Sequence, residues 1–160
     1  KDVLAEVADE AVTKLNAQIV FMPMQYPEDV KAAKKIVAKM KQPACILKED
    51  FTTRELMSLV GNMDLMIGIR LHALIFAGVM GTPMIGISYD PKIDRFLKSI
   101  DEDVVGDLEN VTVEALMQEI NAKWNNKEIY RNQNLKRMAK LRSLARSNAE
   151  MALEFIDKNK

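Results

Sequence analysis

One cysteine, Cys45, stands in 160 residues, so no disulfide framework can exist within the chain. A reducing compartment fits, and the expected location is the cytoplasm. No apolar run approaches the ~18 residues of a membrane-spanning helix, and the amino terminus does not read as a signal peptide. Charge of one sign is also missing. Lys+Arg and Asp+Glu are each 23, so bulk charge gives no reason to expect nucleic acid as a partner. Glycine is scarce, and Gly68, Gly78, Gly81 and Gly86 form neither a dinucleotide-binding loop nor a lysine-bearing phosphate loop. Internal repeats and low-complexity segments are absent. The first residue is Lys1 and not methionine, so the sequence is expected to be an excerpt of a longer protein.

What is present suits one globular domain spanning 1–160. The chain is 48% hydrophobic, and at this length about 70% of the unfolded surface is expected to be buried. The charges are segregated. Seven acids and no base lie between Ser99 and Ala122, whereas six bases and no acid lie between Ile129 and Ala149.

Apolar spacing predicts alternating helices and strands. Asp2 to Asn16 has a helical period, and Ala17 to Met24, apolar but for Gln18, reads as a buried parallel strand. Pro27-Glu28-Asp29 opens a helix to about Lys41, followed by a strand from Ala44 to Leu47. Thr52 or Thr53 caps a helix ending near Gly61-Asn62. The run from Leu65 to Ile69 reads as a strand feeding a buried helix that stops at Gly81-Thr82-Pro83. Met84 to Ser88 is a strand, Pro91 to Ile100 a helix, and Val104-Val105 a last short strand. Helices follow from Thr112 to about Trp124 and from Lys127 to Asp157. Short connections between alternating elements predict an α/β fold with a doubly wound parallel sheet.

Ligands of such sheets bind beyond the carboxyl ends of the strands. Four connections are therefore candidates: Met24-Gln25-Tyr26, Lys48 to Thr53, Arg70 to His72, and Ser88 to Lys92. The third breaks a local rule. The first turn of a helix carries partial positive charge and prefers acids, yet this one begins with Arg70 and holds the only histidine, His72. Arginine offers a fixed fork to a carboxylate or phosphate, and histidine can exchange a proton near neutrality. Together they point to an anion site. In the fourth connection Asp90 reads as an N-cap with Pro91 at the first helical position, and Lys92 again puts a cation in a first turn, facing the same cleft as Arg70.

Other features read as structure. Cys45 is expected in the core, the eleven methionines as packing, and Trp124 as closing a helix onto the core. Asp94 and Arg95 read as an exposed pair, and Asp101-Glu102-Asp103 as a solvated loop. The last helix sets Leu135, Met138, Leu141, Ala145, Ala149, Ala152 and Phe155 near one face, with Arg131, Lys136, Arg137, Lys140, Arg142 and Arg146 around the rest. Its basic side is either solvated or in contact with anionic lipid head groups or a partner domain.

The run from Met63 to Ala77, with Gly81-Thr82-Pro83 and with Gly86-Ile87-Ser88-Tyr89-Asp90-Pro91-Lys92, resembles the bacterial polysaccharide pyruvyl transferases. Within them it is most similar to the type that modifies secondary cell wall polysaccharide for S-layer anchoring. Phe21-Met22-Pro23-Met24-Gln25 and the following Asp29 resemble the preceding strand and turn of that family. The resemblance implies a Rossmann-like C-terminal half of a two-lobed enzyme built like the GT-B glycosyltransferases. The N-terminal lobe and the first strand of this half would lie outside the sequence, leaving the chain inactive alone. It implies transfer of pyruvyl from phosphoenolpyruvate to two hydroxyls of a lipid-linked N-acetylmannosamine, giving a cyclic ketal. His72 would be the acid/base, and Arg70, Leu71, Ser88, Tyr89 and Lys92 would bind the donor. No metal and no cofactor beyond the donor substrate are implied. The implied partners are the donor, the lipid-linked acceptor, the N-terminal lobe and the inner face of the membrane, touched peripherally by the basic helix.

Two other functions are weighed against this one. The donor half of a nucleotide-sugar glycosyltransferase often has a glutamate five residues before the glycine of its Gly-Thr-Pro turn. Phe76 occupies that position here and cannot accept a hydrogen bond. A non-catalytic scaffold lobe, docking through its basic helix, would make Arg70 and His72 dispensable.

Overall fold

The computed structural model describes residues 1–47 and 51–158. Seven helices and five strands alternate among them: α1 (Asp2–Leu15), β1 (Ile19–Phe21), α2 (Glu28–Val37), β2 (Ala44–Ile46), α3 (Thr53–Gly61), β3 (Met66–Gly68), α4 (Leu71–Met80), β4 (Met84–Ser88), α5 (Pro91–Ser99), β5 (Val104–Asp107), α6 (Val113–Asn125) and α7 (Lys127–Lys158). The class is α/β with parallel strands, as the alternation predicts.

The strands form two small sheets and not one. β1 pairs only with β2, whereas β3, β4 and β5 pair in that order, every pairing being parallel. A doubly wound sheet winds outward in both directions from a central strand. Two small sheets of parallel strands are compatible with such a fold, and no strand among the described residues joins β1 to β3.

β4 is the centre of the larger sheet and is buried at all five positions, because helices cover both of its faces. On one face Met84 joins Val60, Leu74, Ile93, Leu97 and Met138, from α3, α4, α5 and α7. On the other, Ile85 and Ile87 join Val7, Leu116, Met117 and Ile120, from α1 and α6. Side chains alternate across a strand, so one five-residue segment supplies both cores. The helix α4 is apolar around much of its circumference because it lies between the sheet and its neighbours α3 and α7. Gly68 permits that approach, since a Cβ there would stand 2.6 Å from Leu74 Cδ2. Gly81 ends α4 with φ of 77°, and Thr82 then donates its amide to the Ala77 carbonyl at 2.8 Å.

Three expectations change. Cys45 is exposed, because it points to the opposite face of β2 from the partly buried Ala44 and Ile46. Glu102 is partly buried and not a solvated loop residue, its carboxylate gripping Lys123 Nζ at 2.6 Å and Arg137 Nη1 at 2.6 Å. Lys123 also donates to the Met84 carbonyl at 2.7 Å and lies 5.2 Å from the centre of the Tyr130 ring. This network ties α6 and α7 to the sheet. The apolar face of α7 is likewise only partly used. Met138 is buried and Leu141 partly so, but every described residue from 142 to 158 is exposed.

Candidate anion site at the strand ends

β3 ends at Gly68, and Arg70 takes the N-cap position of α4 with extended backbone. The side chain of Arg70 does not cap the helix, and the first turn contains no acid. The leading amides, beginning at Leu71 and His72, therefore lack the side-chain acceptor that usually satisfies them. The neighbouring helix α5 is built the opposite way. The Asp90 carboxylate accepts from the Lys92 amide at 2.9 Å, and Pro91 sits in the first turn. One helix N-terminus here is open to an anion, and the other is closed by its own carboxylate.

Arg70 is fixed from the other sheet. Its Nη2 donates to Asp29 Oδ1 at 2.7 Å, while Asp29 Oδ2 accepts from the amides of Met24 at 3.1 Å and Gln25 at 2.9 Å. Asp29 thus joins the turn after β1 to the turn after β3. Burial pushes the Asp29 carboxyl up, but the Arg70 hydrogen bond and the two amides together outweigh it and hold the group below the usual aspartate range. Arg70 is held above its ordinary value, chiefly by the Asp29 hydrogen bond, against burial and with help from the Tyr89 hydroxyl. Its side chain remains 34% exposed.

Arg70, Tyr89 and Lys92 come together. Tyr89 is beside Arg70, and the Lys92 ammonium lies 5.8 Å from the centre of the Tyr89 ring. Lys92 also pairs with Asp90 at 3.1 Å. His72 is exposed at the start of α4, one residue past Leu71, and makes no hydrogen bond or ion pair with a described residue. Ser88 is turned elsewhere: its hydroxyl donates to Asp94 Oδ2 at 2.5 Å. Asp94 therefore serves the end of β4 and does not pair with Arg95.

Of the remaining strand ends, Tyr26 donates its hydroxyl to the Leu47 carbonyl at 3.1 Å, linking the turn after β1 to the end of β2. Thr52 caps α3 in a reciprocal capping box with Glu55. Lys48, Glu49 and Asp50 of that connection lie outside the described residues. Sequence reasoning passed over Asp29 as a site residue because an acid in a first turn is already explained by the helix dipole. Its extra role depends on Arg70, 41 residues away.

The cations of this corner are thus each matched by a carboxylate, and its distinctive feature is the uncapped α4 amides beside Arg70. Among the described residues, no group of three His, Cys, Asp or Glu side chains is arranged to hold a metal ion. No curated protein and no solved structure matches the chain. A family model for polysaccharide pyruvyl transferase matches residues 1–91, more than half of the sequence. That match covers the turn after β1, Asp29, and the whole Arg70–His72 junction. The chain belongs to the polysaccharide pyruvyl transferase family.

Proposed function

We propose that this chain is the donor-binding, Rossmann-like lobe of a two-lobed enzyme that moves pyruvyl from phosphoenolpyruvate to two hydroxyls of a lipid-linked cell-wall saccharide, N-acetylmannosamine. The observation that carries the reading is the open α4 N-terminus beside Arg70, in a chain of this family. Phosphoenolpyruvate presents a phosphate and a carboxylate. The α4 amides from Leu71 onward suit one of them, and the guanidinium edge of Arg70 not held by Asp29 suits the other. Lys92 adds a cation across Tyr89.

The chemistry balances with one acid/base group. A proton adds to the methylene carbon of the donor, and a sugar hydroxyl attacks the adjacent carbon. The bond from that carbon to the phosphate oxygen breaks, releasing inorganic phosphate, and the second hydroxyl closes the ketal. Of the two hydroxyl protons, one offsets the proton gained by carbon and one leaves with phosphate. His72, exposed at the mouth of the open helix terminus and bound to no other described side chain, is free to carry them. The donor's own anions offset positive charge developing at the ketal carbon.

The acceptor would meet this lobe at a membrane surface. No helix among the described residues is long and apolar enough to cross a bilayer. Lys136, Lys140, Arg142 and Arg146 are exposed along α7, which supports peripheral contact with anionic head groups at the inner face. Turnover would need the second lobe.

Calorimetric titration of the chain with phosphoenolpyruvate tests the donor site: binding is expected, and Arg70→Ala abolishes it. Joined to its second lobe, the protein should form ketal and release phosphate in equal amounts, and His72→Ala should remove turnover while sparing donor binding. Donor binding unaffected by Arg70→Ala, or full turnover by His72→Ala, refutes the assignment.

A further inference from the structure

The second half of α7 prolongs the face that the domain buries in the first half. Met138 and Leu141 pack onto the core. From them, alternate steps of three and four residues pick out Met138, Leu141, Ala145, Asn148, Ala152 and Phe155. That alternation is the seam of a left-handed coiled coil. Leu144, Met151 and Ile156 flank the seam, each more than half exposed. The domain covers only the first two seam positions, since every described residue from 142 onward is exposed. A continuous exposed apolar row of this kind marks an interaction surface.

Charge decides what covers it. Between 142 and 149 stand Arg142 and Arg146 with no acid, whereas between 150 and 158 stand Glu150, Glu154 and Asp157 with one base, Lys158. Glu154 and Lys158 lie 3.9 Å apart. The two halves of the exposed segment therefore have opposite net charge. A helix that lies in an anionic bilayer surface rims its apolar face with Lys and Arg. Here Met151, Leu153 and Phe155 stand among acids, which anionic head groups would repel. A second α7 running the opposite way fits instead, because each basic half then meets an acidic half. A parallel neighbour would set like charge against like.

We infer that residues 142–158 of α7 pair with the same segment of a second copy, antiparallel about a twofold axis. Ala145, Ala149 and Ala152 let the two backbones approach closely, and the larger Leu144, Met151 and Ile156 of each helix cover the alanines of the other. A crossing centred on the exposed segment brings the two Asn148 side chains within about one turn of each other. One polar residue in an otherwise apolar seam fixes register at some cost in stability. The same patch serves both copies, so assembly closes at two. Lys136 and Lys140 lie outside the overlap and stay available to head groups. The contact is about 25 Å long, a small interface, and its dissociation constant should be on the order of 10 µM. None of these residues belongs to the anion site, so the inference stands apart from the pyruvyl-transfer reading.

Sedimentation equilibrium of the chain, at concentrations well below and well above that constant, tests the pairing. A monomer–dimer equilibrium is expected. Met151→Glu combined with Ala152→Glu changes exposed side chains only, and should weaken the dimer about a hundredfold by placing acids in the seam. Circular dichroism should show the variant melting as the dilute parent does. Arg142→Glu with Arg146→Glu should weaken the dimer about tenfold, and adding Glu150→Lys with Glu154→Lys should restore it. A chain monomeric at every concentration, or a Met151→Glu, Ala152→Glu variant as dimeric as the parent, overturns the inference. Failure of the four-residue charge exchange to restore pairing overturns the antiparallel arrangement. A monomer that instead binds phosphatidylglycerol vesicles, and loses them in the Met151→Glu, Ala152→Glu variant, gives the face to the membrane and overturns the dimer. The protein joined to the second lobe proposed above should dimerise in the same way, and a monomer there gives the face to that lobe and overturns the inference.

Discussion

Glu102→Gln should be the most damaging single-atom-scale change in this chain. The Glu102 carboxylate is 9% exposed and serves two cations at once, Lys123 at 5% exposure and Arg137 at 25%. Glutamine keeps one oxygen and replaces the other with an NH2 group that cannot accept. The oxygen is best spent on Lys123, which cannot reach water, leaving the NH2 against Arg137, which can swing outward. Lys123 then keeps the Met84 carbonyl and the Tyr130 face but has no counter-charge. Removing one partner of a buried pair costs about 3–5 kcal/mol, and the remaining contacts of Lys123 argue for the low end, about 3 kcal/mol. At about 2–4 °C per kcal/mol for a chain of this size, Tm should fall by about 6–12 °C. Thermal and urea unfolding followed by circular dichroism at neutral pH measure it. Replacing both buried partners together, Glu102→Leu with Lys123→Met, should recover most of the loss, because the one cation left without a carboxylate, Arg137, can swing outward to water. A Glu102→Gln loss below about 1 kcal/mol, or a double variant no better than the single, would refute the reasoning.

Three further outcomes are expected. Asp29 is held below its ordinary value, so its contribution to stability is full above the unfolded value, about 3.9, and is lost as pH falls through the lower folded value. Asp29→Asn should accordingly be less stable than the parent at neutral pH, and the two urea midpoints should converge on acidification; parallel curves would contradict this. Arg70→Lys keeps the charge but loses the planar fork, so phosphoenolpyruvate binding should weaken about tenfold by calorimetry, and unchanged affinity would show that the fork is not used. Gly68→Ala should cost about 2 kcal/mol in urea unfolding, since the new methyl would meet Leu74, a fully buried side chain at 2.6 Å. An unchanged midpoint would mean that α4 can retreat from β3 freely.

The site's scaffold was legible where local rules coincide with burial. Met84 to Ser88 is apolar, bounded by Pro83 and Asp90-Pro91, and it forms β4 over those five residues. The Asp90 cap and Pro91 start of α5 follow from backbone chemistry alone. Strand ends were not legible in the same way. Ala17 to Met24 is apolar but for Gln18, yet only Ile19–Phe21 pair, because apolarity reports burial whereas a strand also needs a hydrogen-bonding neighbour. The predicted end of α2 near Lys41 fails for a similar reason. After Val37 the amides of Lys39 and Met40 turn back to the carbonyls of Ile36 and Val37, tightening the chain out of the helix. Glu102 and Asp29 were misjudged together. Each looks like an ordinary exposed acid next to its neighbours in sequence, and each owes its role to a cation supplied by a distant element.

In the proposed site the corner around Arg70 would gain its selectivity from how its charges are already committed. Were Arg70, Lys92 and both helix termini all unpaired, any anion would serve. Instead Asp29 is locked by two backbone amides as well as by Arg70, so the Arg70–Asp29 pair is held in place and the guanidinium keeps a fixed orientation. Asp90 and Lys92 form a different kind of pair, with the lysine side chain 50% exposed and the carboxylate 36% exposed. Exposed pairs of this kind contribute about 0–1 kcal/mol, so an entering anion can draw Lys92 away from Asp90 at little cost. Asp90 is still retained by the Lys92 amide and continues to close α5. In the proposed reaction the donor would therefore meet one immobile cation, one open helix terminus and one lysine able to swing. Two fixed anchors would then set the position of the reacting carbon, and the third, mobile one would follow the phosphate as it departs.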